Sequence, residues 1–200
     1  MSNSLKLSIS PYANPDQPTR IELEHDFKVS ARTSIARRKP NAPLQIVLDL
    51  GLIEAPVLNY GKGRGSVDSD SIRARVGECT DYDFTFCPLD LTNLHFKSVV
   101  ANYVINTLPP KSRFYVWKEL ANVVRTDGVV YVAARSDKDK GIRGEPYQGG
   151  VITSIGTYQV AFTKESIQRE ALQHFEYVEL LPNKSGFVHV RCSHSPFPNK

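Results

Sequence analysis

Ala55-Pro56-Val57-Leu58-Asn59-Tyr60-Gly61-Lys62-Gly63-Arg64-Gly65 is the stretch on which the fold turns. Its apolar opening reads as a buried strand. Three glycines at every second position then end that strand in a turn where a ligand can approach the main chain without meeting side chains. The hydroxyl-rich Ser66-Val67-Asp68-Ser69-Asp70-Ser71 comes next and suits the opening of a helix whose first amides are free. Residues 72–76 are expected as a short helix stopped by Gly77 in a left-handed cap. A glycine turn of this kind also serves plain strand-to-helix connections, so the weight of the reading falls on its surroundings.

Downstream, a second strand is expected over 79–84, ending near Asp83, and 98–105 is a nearly continuous apolar run of the kind buried parallel strands show. Residues 112–124 read as a helix with Phe114, Trp117, Leu120 and Val124 inward, and the turn Thr126-Asp127-Gly128 leads to a further strand over 129–134. Thr163 caps a helix running to about His174, with Glu165 at its positive end. Two alternating runs, 176–181 and 187–192, flank the turn-forming Pro182-Asn183-Lys184-Ser185-Gly186 and should pair antiparallel. The fold class is therefore α/β: a Rossmann-like, mostly parallel sheet with a C-terminal antiparallel hairpin and a ligand crevice at the carboxyl ends of its strands. The stretch between Asp83 and Ser98 is short for a strand plus a crossover helix, which leaves the sheet reduced at one edge.

Upstream, Pro11, Pro15 and Pro18 stand among polar residues, with a short strand expected at Ile21-Glu22-Leu23; residues 1–29 read as an N-terminal arm, 30–195 as the domain and 196–200 as a tail. Arg32, Arg37, Arg38 and Lys39 make the following segment basic, which fits a solvated turn or a contact to phosphate equally. Pro43 opens a helix with Leu44, Val47 and Leu48 on one face, ending near Gly51. The length of 200 residues suits one domain with one core. A formal charge of +4 suits a nucleic-acid partner without requiring one. Cys79, Cys87 and Cys192 are odd in number and have no metal spacing, and His95, His174, His189 and His194 have none either, so neither a disulfide framework nor a metal centre is expected. With no basic-then-apolar leader and no stretch long enough to span a bilayer, the expectation is a cytoplasmic protein away from membranes.

These pieces, taken in order, resemble the class I S-adenosylmethionine-dependent methyltransferases, and more closely a bacterial and phage group that includes proteins associated with DNA phosphorothioation. The matching strings are Ser34-Ile35-Ala36-Arg37-Arg38-Lys39-Pro40, the glycine turn, Asp81-Tyr82-Asp83, Asn102-Tyr103-Val104-Ile105-Asn106, Ala134-Arg135-Ser136-Asp137 and Thr153-Ser154-Ile155-Gly156-Thr157-Tyr158-Gln159. They span 33–172. The resemblance implies S-adenosylmethionine as cofactor. Asn59, Tyr60, Gly61, Gly63 and Gly65 would surround its amino-acid part, Asp83 would accept hydrogen bonds from its ribose, and Asn102 would stand near its ammonium, with Asp90 as a further candidate near the adenine.

Candidates for the acceptor side are Asn106, Arg135, Thr153, Ser154, Tyr158 and Gln159. Three residues depart from the group's pattern: Asn59 and Lys97 stand where acidic residues are usual, and Lys62 where a small or cysteine side chain is. No Asp/Asn/Ser-Pro-Pro-aromatic motif and no Pro-Cys nucleophile is present, and no catalytic residue is named, since methyl transfer from a sulfonium needs chiefly in-line positioning. Three readings stay open: a methyltransferase with a nucleic acid or nucleobase-like acceptor acting in DNA modification, a small-molecule methyltransferase, and a catalytically inactive binding or regulatory protein of the same fold.

Overall fold

The computed structural model describes residues 17–183 and 186–197. Its frame is a six-stranded sheet built from β1 (Val57–Tyr60), β2 (Thr80–Tyr82), β3 (Phe96–Asn102), β4 (Val124–Arg135), β8 (Tyr177–Leu180) and β9 (Phe187–Ser193). The spatial order is β2-β1-β3-β4-β9-β8. The first four strands run parallel, and β9 runs antiparallel to both β4 and β8. The expected hairpin closes the sheet. At the other margin the chain between Tyr82 and Phe96 contributes only an isolated bridge, Asp83 to Cys87, so the sheet is reduced there as its short length implies.

Alternation sorts the side chains by face. Leu58, Tyr60, Val99, Ala101, Val130, Val132, Val188 and Val190 build the larger core against helices α1 (Arg20–Ser30), α4 (Pro110–Val123) and α5 (Lys164–Ala171). On the opposite face Val57, Val100 and Tyr131 meet α2 (Ala42–Asp49) and α3 (Val67–Val76) through Leu44, Val47, Leu48 and Ile72. The result is two helical layers around a sheet. A second, three-stranded sheet of β5 (Glu145–Tyr147), β6 (Gly150–Ile152) and β7 (Tyr158–Gln159) sits between β4 and α5 in sequence.

Residues 21–23 are helical, not extended. Thr19 Oγ1 accepts from Glu22 N at 3.2 Å and Glu22 Oε2 accepts from Thr19 N at 2.7 Å, a capping box that starts α1. Leu23 and Phe27, one helical turn apart, are its buried pair, while Ile21 is 80% exposed. Pro11 and Pro15, like Lys184 and Ser185 of the hairpin turn, lie outside the described residues. Smaller differences occur elsewhere. The helix after the glycine turn starts five residues earlier than expected, at Val67, and ends as read, with Gly77 at φ 89°. After Asn102 the strand gives way to a short 3-10 turn, Ile105–Thr107. Val124 belongs to β4, and the turn at 126–128 is an irregularity within that strand, where the register jumps from Phe96↔Val124 to Ser98↔Val129. In α4, Val116 and Val123 are buried beside Trp117 and Leu120, whereas Phe114 is partly exposed against His174. Among the described residues no helix is long and apolar enough to cross a membrane.

Candidate functional site

The carboxyl ends of β1, β2 and β3 open into a cavity of about 660 Å³. Its wall begins with Tyr60, Gly61, Lys62, Gly63 and Gly65. Tyr60 offers the cavity its ring, because its hydroxyl donates to Glu119, which also accepts from Tyr115 at 2.9 Å. Burial raises the Glu119 carboxyl above its ordinary value. Gly61 and Gly63 adopt φ 75° and 66°. A β-carbon would stand 2.3 Å from Val104 Cγ2 at Gly61 and 2.5 Å from Ser34 Oγ at Gly63. Glycine is required here by the backbone turn and by the chain's own close approach.

Asp83, one residue beyond β2, holds this turn. Its Oδ2 accepts from Gly63 N at 2.8 Å, and its Oδ1 accepts from Thr85 N and Phe86 N, both at 2.9 Å. A carboxylate has about four acceptor sites, so one on Oδ2 remains for a ligand hydroxyl. Asp68, at the start of α3, accepts from Asn41 N at 2.9 Å and from Asn41 Nδ2 at 2.6 Å. Asn41 Oδ1 in turn caps α2 through Leu44 N and accepts from Asn102 Nδ2 at 3.0 Å. This chain of bonds orients the Asn102 amide and leaves its Oδ1 buried without a partner among the described residues. Beside it, α3 begins without a side-chain cap, and Val67 and Asp68 of its first turn line the cavity.

Tyr103 follows at φ 62°, an unusual backbone angle for a bulky residue. Its N–H donates to Ala133 O at 2.7 Å, and the Arg37 guanidinium lies 5.7 Å from its ring centre. Across the cavity, Phe27 of α1 stacks on Phe84 with centroids 4.3 Å apart, so α1 forms a wall as well as part of the core.

The sequence candidates separate on this map. Tyr60, Gly61, Gly63, Gly65, Asp83 and Asn102 all line the cavity, and so do Asn106, Arg135 and Gln159. Asn59 does not: its side chain turns to the α3 face and donates to Ser69 Oγ at 2.9 Å. Thr153, Ser154 and Tyr158 are also absent from the wall. Thr153 pairs with Thr157 within the β6–β7 turn, Ser154 is exposed there, and the Tyr158 hydroxyl donates to Gln148 O at 3.0 Å. Asp90 is exposed and accepts from Thr92 N at 2.9 Å, away from the wall. Of the charge departures, Lys97 is remote from the cavity wall, held by Asp127 at 3.0 Å, while Lys62 lines it with no ion-pair partner among the described residues. Phe27, Asn41, Asp68 and Tyr103 are wall residues that the sequence reading did not single out as site residues; the Thr19-x-x-Glu22 capping signature was the signal for the helix that carries Phe27.

No protein-family model and no curated protein matches the sequence. Solved structures do match in shape. A 1,6-didemethyltoxoflavin-N1-methyltransferase from Burkholderia thailandensis, solved with 1,6-didemethyltoxoflavin and S-adenosylhomocysteine, superposes with a TM-score of 0.57 at 15% identity over 92% of both chains. A SAM-dependent methyltransferase from Bacteroides fragilis with S-adenosyl-L-homocysteine gives 0.55 at 12% identity over 78% of each chain. DhpI in a SAM complex gives 0.53 at 13% identity, covering 88% of this chain and 99% of that one. The fold is therefore that of the class I S-adenosylmethionine-dependent methyltransferases.

Proposed function

We propose that this chain is an S-adenosylmethionine-dependent methyltransferase whose acceptor is a nucleic acid or a nucleobase-like heterocycle. The observation that carries the cofactor assignment is the uncapped start of α3, whose first-turn residues Val67 and Asp68 line a cavity that Asp83 and Asn102 also line, in this fold. Such a helix start leaves free amides suited to a carboxylate, the anionic end of an amino acid. The remaining acceptor site of Asp83 suits a ribose hydroxyl, and the ring of Tyr60 walls the site. When bound, S-adenosylmethionine supplies an electrophilic methyl group. The chain's part is to hold the acceptor in line with it and to exclude water. Asp68, Asp83 and Asp139 are each engaged by donors of the chain, so no wall carboxylate stands free as a general base.

Support for the acceptor class comes from Arg37 and Lys62, which line the cavity, and from Arg64, which lies 5.2 Å from the ring of the wall residue Phe86; none has a carboxylate partner among the described residues. Isothermal calorimetry with S-adenosylmethionine and S-adenosylhomocysteine tests the cofactor assignment; no heat at millimolar ligand sinks it. Transfer of a labelled methyl group to DNA, with a rate that falls as salt rises, tests the acceptor. Lys62 favours a second reading, a protein that binds the cofactor and does not turn it over, because a cation in the wall opposes a sulfonium. Binding of both ligands with no transfer to DNA, RNA or free heterocycles would select that reading.

A further inference from the structure

We propose that the β4 side of the cavity recognises an oxygen of the methyl acceptor, a ring carbonyl or a carboxylate, through the side-chain amide N–H of Gln159. This rests on the methyltransferase reading and names the chemistry of its acceptor. Gln159 is 5% exposed and lines the cavity. Its orientation is set by its neighbours. Arg135 N donates to Asn106 Oδ1 at 3.4 Å, which turns the Asn106 amide nitrogen toward Gln159. Asn106 Nδ2 and Arg135 Nη1 then both donate to Gln159 Oε1, each at 3.3 Å. A guanidinium has no acceptor atom, so the Gln159 oxygen must face it.

The Gln159 Nε2 is left with no partner among the described residues, and it is not among the side-chain atoms sealed from solvent. It therefore opens on the cavity. Arg135 adds a second donor there, while its charge is met by Asp139 at 2.7 Å. The unoccupied groups presented to the acceptor are donors, since the Asp139 carboxylate is taken by Arg135 Nε and Gly141 N and in turn pairs the Arg135 cation. A neutral carbonyl is thus accommodated as readily as an anion, whereas an amino group would meet donor against donor.

The experiment is calorimetry on protein saturated with S-adenosylhomocysteine, titrated in turn with guanosine, adenosine and benzoate. Binding of guanosine marks a ring carbonyl as the recognised oxygen, and binding of benzoate alone marks a carboxylate; either result, with adenosine weaker, is expected. Gln159→Glu keeps the pairing with Arg135 and removes the donor, and Gln159→Met keeps the length and removes it too. Both are expected to weaken the oxygen-bearing probe about tenfold or more, with S-adenosylhomocysteine affinity retained as the sign of an intact fold. Adenosine binding as tightly as the other probes, no binding by guanosine or benzoate, or unchanged affinity in both variants would overturn the proposal while leaving the cofactor assignment standing. Failure of the unaltered protein to bind S-adenosylhomocysteine would instead remove the methyltransferase reading, and this inference with it.

Discussion

Asp83 both ties down the glycine turn and keeps an acceptor site open to the cavity. Asp83 was legible as a strand-end carboxylate. Its grip on Gly63, Thr85 and Phe86 was not, because it depends on how the glycine turn folds back across β2. Asp83→Ala removes both that grip and the spare acceptor, and should weaken S-adenosylhomocysteine by about 1.5–3 kcal/mol, the range for losing bonds to a charged group; calorimetry reads this directly, and an unchanged dissociation constant would take Asp83 out of the site. His189 is a different case. Its ring is buried on β9 with neither nitrogen hydrogen-bonded among the described residues, and burial lowers it from its ordinary 6.5 to about 4. The unfolded chain binds a proton below about 6.5 that the folded chain refuses until about 4, so stability falls as pH falls through that window, by about 3 kcal/mol in all. Urea midpoints measured from pH 7 to 4 should show the decline, and His189→Leu should flatten it.

The elements were easier to read than their contacts. Period-2 and near-continuous apolar runs located β1, β3, β4, β8 and β9, because burial on the sheet faces dictates those residue types. The first helix was missed for a physical reason: Ile21-Glu22-Leu23 alternates like a strand, but the alternation is idle, since Ile21 faces solvent and the working pair is Leu23 with Phe27. Removing its start signal has a local cost. Thr19→Ala should destabilise α1 by about 1 kcal/mol. Amide exchange would then quicken in α1 by several-fold, about fivefold for that energy, while β3 and β4 keep their rates; equal acceleration everywhere would show that α1 opens only with the whole domain. Because Phe27 stacks on Phe84 in the cavity wall, the same variant should loosen cofactor binding.

At the scale of the molecule, α4 and α5 are joined on one sheet face by a charged cluster. The Arg113 guanidinium, with its side chain 11% exposed, meets Glu170 at 2.9 Å, and Trp117 Nε1 donates to the same carboxylate at 3.0 Å. Glu170→Ala strands that cation, and should cost about 3–5 kcal/mol, as loss of one partner from a buried pair does; Arg113→Met with Glu170→Leu should recover much of it in a denaturation series. Long-range pairings of this kind were invisible in the sequence, since residues 113 and 170 come together only through the crossover. The site was legible in the same measure. Gly61, Gly63, Asp83 and Asn102 follow from a strand-turn-helix order that a single chain segment encodes. Asn59, Thr153, Ser154 and Tyr158 missed the wall because strand parity and a hairpin's own hydrogen bonds decide where they point.

The short margin at β2 bears on how the chain behaves in company. Among the described residues β2 has no neighbour on its outer side, yet it is only three residues long, and just past it the chain bridges back from Asp83 to Cys87. At the other margin, β8 carries Glu179 bound to Arg191, and Pro182 follows it closely. Among the described residues the border strands of the six-stranded sheet are only three and four residues long, so each offers a second molecule a short row of free amides and a poor template for fibre seeding by strand addition.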